Sequence, residues 1–172
     1  MDRLRPRLWW MLPALSVVVV IFGVSDVLIG ITSDPGIPVA IIGLTPTELG
    51  AVTADGYRLA DFMVRTQGLA LAAFGLLLTG VLLVPYRAAQ RWAWYAAFIL
   101  PAWAITVPLT YLVFGLAPGA QPAPPIISGP IFAAISGLLL LADRRRFAVT
   151  RRDPMNRDPL PPHMEATSWT DG

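Results

Sequence analysis

The sequence predicts an all-α membrane protein: one four-transmembrane-helix bundle, N-in/C-in, with a long outer loop between helices 1 and 2. Hydropathy, composition and charge placement each point there. Apolar runs cover residues 8–31, 62–84, 92–116 and 126–142, each near the ~20 residues an α-helix needs to cross a hydrocarbon core of about 30 Å. Of 172 residues, 55% are hydrophobic and 14% charged, a membrane balance rather than a soluble one. All thirteen basic residues are arginine, and eleven of them lie before the first run, between the second and third, or after the fourth. Four spans put those segments on one side, which the positive-inside rule makes cytoplasmic.

Lipid offers backbone N–H and C=O groups no partner, so each run must be a helix. The first follows Arg3, Arg5 and Arg7, carries Pro13 in its early turns and stops at the turn signal Ser33-Asp34-Pro35-Gly36. Its apolar stretch exceeds a signal-peptide core and no small-x-small cleavage site follows, so it reads as a retained anchor. In the outer loop, 33–60, the apolar stretch 37–44 is expected at the bundle's mouth or in the interface. Thr45-Pro46-Thr47-Glu48 is a capping box with proline at the first helical position. It predicts a short helix over about 46–54, ended by Asp55-Gly56. Loops this long in small domains are usually functional or lids.

The second and third helices form a hairpin through 85–91, and Pro101 and Pro108 should bend the third. Residues 117–125 form a proline-rich outer cap, and the short fourth helix should stand steeply or thin the bilayer. Trp9, Trp10, Tyr86, Trp92, Trp94 and Tyr95 fall at inner helix ends, where amphipathic rings favour the headgroup layer. Residues 1–142 thus make one transmembrane domain. Residues 143–172 are basic, then Pro-rich and polar, and read as a disordered cytoplasmic tail.

Absences exclude several chemistries. Without cysteine there is no thiol nucleophile, disulfide exchange or iron–sulfur ligation. The one histidine, His163, lies in the tail, so the bundle holds no imidazole-ligated haem or His-based metal. No glycine-rich phosphate loop follows a strand, and no cofactor is implied. The arginines lie at the membrane face without stacking aromatics outside it, which assigns them to lipid headgroups and not to nucleic acid. No internal repeat points to an inverted-repeat transporter.

The candidate site is an intramembrane polar cluster. A charge inside a span costs roughly 2.5–3.5 kcal/mol even on mild insertion scales, yet Asp26 stands in the first helix and Arg65 in the second, with Asp61 at its entrance. Ser16, Val19, Gly23, Asp26 and Gly30 repeat at alternating spacings of three and four. So do Asp61, Arg65, Gly68, Ala72, Gly75 and Thr79. Each set is one helix seam, and small residues on it mark helix–helix contact in lipid. Both charges therefore point into protein. Helix rise puts Asp26 and Arg65 at the same depth, roughly 6–8 Å below the outer surface. The expectation is an Asp26–Arg65 pair with Asp61 as second partner. Gln67, Thr106, Thr110 and Tyr111 lie at similar depth to complete a polar pocket, and Trp103 would floor it. The same charges also fit a bare register lock between two helices.

Asp61-Phe62-Met63-Val64-Arg65-Thr66-Gln67-Gly68, then Gly75, then the Arg87/Arg91 hairpin and an aromatic third helix, resemble the DoxX-like and DUF4345-like small four-helix bacterial membrane proteins. In that pattern an arginine followed by glycine opens the second helix. Arg65 and Gly68 match by position, with Gln67-Gly68 where a double glycine is usual. The likeness covers about residues 55–116 and implies a fold more than an activity. A looser similarity is to the four-helix EXPERA group, in which acidic residues of the first two helices line a pocket open to lipid. Asp26 and Asp61 are so placed, without the aromatic and histidine companions of its isomerases.

These features lead to a non-enzymatic protein of the bacterial inner (plasma) membrane. It would bind a small lipophilic ligand or lipid near the outer leaflet, or serve as accessory subunit of a larger membrane complex. Its expected partners are membrane lipids, further copies of itself or such a complex. One alternative is a membrane enzyme acting on a lipid or isoprenoid, with Asp26 or Asp61 as acid/base. The other is a dimeric proton-coupled exporter of small molecules.

Overall fold

The computed structural model describes residues 9–114 and 124–148. Within them the chain is helical without strands, and four helices are long and apolar enough to cross a membrane. These spans are Met11–Thr32, Ala54–Tyr86, Arg91–Val113 and Pro125–Phe147. The expected features at Arg3, Arg5 and Arg7, at 117–123 of the proline-rich cap, and at 149–172 with His163 lie outside the described residues. Many apolar side chains point outwards, among them Leu77 (74% exposed) and Val113 (75%). Such a surface suits acyl chains and not water.

The first helix, α1 (Met11–Ile29), tolerates Pro13 because it falls in the first turn, where the missing N–H has no helical partner to lose. It buries Leu12, Ser16, Val19 and Gly23, one stripe at the spacing of the expected seam. Two short helices follow, α2 (Gly36–Ile42) and α3 (Pro46–Val52). The second span is α4 (Ala54–Val81), which packs antiparallel on α1 and buries Gly68, Gly75 and Leu78. A side chain would not fit at Gly68, where a Cβ would lie 2.7 Å from both Asp26 Cβ and the Gly23 carbonyl. Further along, the Ser16 and Thr79 hydroxyls meet at 2.7 Å.

Two spans are longer than their apolar runs. The second starts at Ala54, not 62, because the Thr53 hydroxyl caps it by accepting from the Gly56 N–H at 3.1 Å. Asp55-Gly56, expected to end α3, therefore lies inside α4. The fourth span is α7 (Pro124–Ala148), 25 residues and not short, since it runs on through Arg144–Arg146. Its last turns are held by Asp143, which accepts from the Tyr86 hydroxyl at 3.0 Å, and by buried Phe147. Between these spans, α4 closes in a π-type turn, Leu82–Tyr86, around Pro85. The third span is split at Phe98 into α5 (Arg91–Ala97) and α6 (Ile99–Phe114). Pro101 lacks the N–H that would bond the Ala97 carbonyl, which accounts for the break.

The core lies at the arginine-rich end. Leu12, Leu82, Tyr86, Leu100, Leu140 and Phe147 are buried together there. Trp94 Nε1–H donates to the Leu140 carbonyl at 3.0 Å, and the Arg146 guanidinium to that of Arg87. Tyr86 and Trp94 consequently turn inwards instead of joining a headgroup belt. Trp10, Trp92 and Tyr95 are the exposed aromatics of that set. Toward the other end, α1 pairs with α4 and α6 pairs with α7. A Trp103–Phe74 ring contact at 5.9 Å bridges the two pairs part-way along.

A cavity at the loop end and its polar rim

At the end opposite the arginine-rich one, α1 stops in a single 3₁₀ turn, Gly30–Thr32. Gly30 permits this with φ 74°, and a Cβ there would collide with Asp61 Oδ1. Only glycine adopts this left-handed backbone freely. Arg65 then closes the helix end. Its Nε donates to Asp61 Oδ2 at 2.7 Å, and Nη1 donates to the carbonyls of Val27 (2.6 Å) and Leu28 (3.2 Å). Asp61 Oδ1 in turn accepts from the Ile31 N–H at 2.9 Å. A cation on the last carbonyls of a helix satisfies orphan acceptors and opposes the negative end of the dipole. The Asp61–Arg65 unit is thus a clip across the end of α1.

Asp26 is not part of the clip. Its Oδ1 accepts from the Ser33 hydroxyl at 2.7 Å, and no Asp26–Arg65 ion pair forms. The expected pairing fails by one helical turn: Asp26 Cβ lies against Gly68, while Gly30 lies against Asp61 and Arg65. Depth counted from the ends of the apolar runs misjudged the register, because α4 begins two turns before its run does.

Beside Asp26 lies a cavity of about 500 Å³ between α1, α4 and α6, roofed by α2 and α3. Its walls are mostly apolar: Ile31 from α1's end, Ala60, Met63 and Val64 from α4, Val107 from α6, and Ile37, Pro38, Ile41, Ile42 and Leu49 from the roof. Polar groups come from Asp26, Ser33, Asp34, Gln67, Thr110 and Tyr111. Four of the eight expected site residues, Asp26, Gln67, Thr110 and Tyr111, are therefore brought together. Asp61 and Arg65 are spent on the clip. Trp103 does not line the cavity; it lies one turn before Val107 and packs on Phe74. Thr106 is also absent from the lining and, like Thr110, donates to the carbonyl four residues back on its own helix.

The helix over 46–52 and its capping box are as expected; the helical form of 37–42 and the part Asp34 plays are what sequence reading missed. The stretch 37–44 showed only apolar residues, yet it folds as α2 and ends at Gly43 in the left-handed conformation (φ 73°) that closes many helices. Asp34 read as turn punctuation. Its carboxylate accepts from the Gly36 N–H at 3.2 Å while lining the cavity. Burial pushes its pKa above the usual carboxylate range, the Gly36 N–H opposes that shift, and the nearby charge of Asp26 adds to it. Among the described residues, no three acidic or imidazole side chains converge as a metal site. No protein-family model matches this chain, and no curated protein or solved structure is significantly similar to it.

Proposed function

We propose that this is a multi-pass protein of the bacterial inner membrane that binds a small lipophilic molecule in the loop-end cavity. Both termini would be cytoplasmic and the cavity near the outer leaflet, a sidedness supported by the arginines at the opposite end. The cavity carries the reading. At about 500 Å³ it falls in the size range of small-molecule sites. Apolar walls with a few convergent polar groups are the usual lining of such sites. Kinship with the DoxX-like and DUF4345-like proteins belongs to the same proposal. In this chain the two matching residues have structural work, Arg65 in the clip and Gly68 in the seam.

Native mass spectrometry of the full chain from a mild detergent tests the reading. The wild type should retain a lipid-sized adduct. Filling the cavity from two walls, with Ala60→Phe and Val107→Phe together, should remove it while helicity by circular dichroism is unchanged. A wild-type spectrum without adducts, or adducts indifferent to filling, would overturn it. A second reading, a membrane enzyme using Asp26 as acid/base, is favoured by one observation. The carboxylate faces the cavity with Ser33, and not a guanidinium, as its partner.

A further inference from the structure

Ligand-like cavities are common to both neutral and charged lipophiles, and the charge on the lining separates them. Among the described residues, the acidic and basic side chains on the wall are Asp26 and Asp34, both carboxylic acids. Among the described residues no arginine lines the cavity. Arg65, one residue after Val64 of the wall, is engaged by Asp61 and by carbonyls of α1. Each carboxylate uses one oxygen internally: Asp26 Oδ1 accepts from Ser33, and Asp34 Oδ1 from the Gly36 N–H. Among the described residues nothing donates to either Oδ2. Tyr111 adds an aromatic ring to the same wall, and ring faces attract cations.

We propose that the cavity takes a lipophilic cation, an amphiphile whose amine or quaternary ammonium head sits between Asp26 and Asp34 and whose hydrocarbon part fills the space walled by Met63, Val64, Val107 and Ile41. This rests on the cavity reading above and adds the sign of the ligand's charge. Anionic lipophiles are disfavoured for a physical reason. A phosphate or sulfate head would face two carboxylates at short range, in surroundings that screen charge less than water does. A cationic head removes their mutual repulsion and takes up both idle oxygens. Asp34, whose carboxyl is pushed up by burial and by Asp26, gains from such a counter-ion.

The test uses three probes with one tail: decyltrimethylammonium, decyl sulfate and decanol. Binding to the full-length protein in a neutral detergent is followed by intrinsic tryptophan fluorescence, for wild type, Asp26→Asn and Asp34→Asn in identical micelles. Comparing variants in the same micelles cancels each probe's partitioning into detergent. Wild type should bind the ammonium saturably and prefer it to the sulfate. Each variant should lower the ammonium-over-sulfate preference by roughly tenfold, with decanol affinity changed little. Should Asp26→Asn fail to fold, Asp34→Asn, on the loop outside the spans, still decides. A sulfate bound as well as the ammonium, or a preference unmoved by either variant, overturns the cation inference while decanol binding leaves the cavity reading intact. If none of the three probes binds saturably, both readings fall together.

Discussion

Asp34 and Glu48 sit in the same inter-helix segment and are pushed in opposite directions, for reasons visible atom by atom. Glu48 is solvent-exposed and closes the capping box of α3, accepting from the Thr45 N–H at 2.7 Å and from its hydroxyl at 2.8 Å. Those donors favour the charged form and hold its pKa below the usual range. Its contribution to α3 is therefore present above the unfolded value and lost as pH falls through the lowered one. Asp34 behaves inversely. With its pKa raised, the folded chain holds the proton more tightly than the unfolded chain does. Stability is greatest below the ordinary aspartate value and declines as pH rises through the raised one. Among the described residues, Asp26 and Tyr111 are the other titratable groups facing the same cavity. Asp34→Asn keeps an acceptor for Gly36 and removes the charge. Followed by tryptophan fluorescence in detergent, the variant should melt above wild type near about pH 7, and the gap should close near about pH 3. A variant less stable than wild type at neutral pH would contradict the burial of this carboxylate. A residue that lowers stability while lining a cavity is the pattern expected of a binding group.

At the scale of elements, the α1–α4 seam is the packing unit that sets everything at the loop end. Its glycines differ sharply in what they face. A Cβ on Gly68 meets the Gly23 carbonyl and Val27 N–H of α1, within 2.7–2.9 Å, so the helices must part. A Cβ on Gly80 meets nothing within 4 Å. Gly68→Ala should cost on the order of 1–3 kcal/mol through overpacking, whereas Gly80→Ala should gain about 0.5–1 kcal/mol of helix propensity. Thermal unfolding of the two variants side by side reads both signs. Equal effects would mean that the seam lies elsewhere. The seam was legible in the sequence because small residues at alternating three- and four-residue spacing report helical period directly. Register between the two helices was not legible, since it depends on where each helix starts. Thr53 moved that start by two turns, through a hydroxyl cap written in the sequence as Thr53-Ala54-Asp55-Gly56 but hidden by its polarity. Hydropathy marks the membrane-embedded part of a helix and says little about the part that projects.

On the scale of the whole molecule, the two ends divide the work. The arginine-rich end joins all four spans through a close-packed core with Tyr86–Asp143 and Trp94–Leu140 links. Toward the loop end, α1–α4 and α6–α7 are separate pairs, and the space between them is the cavity. Which residues alternate into a core is a local property that periodicity reveals. Where two pairs fail to meet is a long-range property with no local signature, so of the residues lining the cavity only Asp26, Gln67, Thr110 and Tyr111 were foreseen as a site. The absence of native cysteine gives a clean background for mapping this division. Single cysteines replacing Gln67 and Val107, from facing pairs, should react quickly with a small maleimide in detergent. A cysteine replacing Ala97, 1% exposed in the core, should react slowly. A cavity-filling lipophile should protect positions 67 and 107 together and leave position 97 unchanged, because only the gap between the pairs admits it. Protection at one wall alone would mean that the ligand lies on the outer face of a single pair. Equal reactivity at all three positions would mean that the core end is as open as the loop end, and the two-ended architecture would not hold.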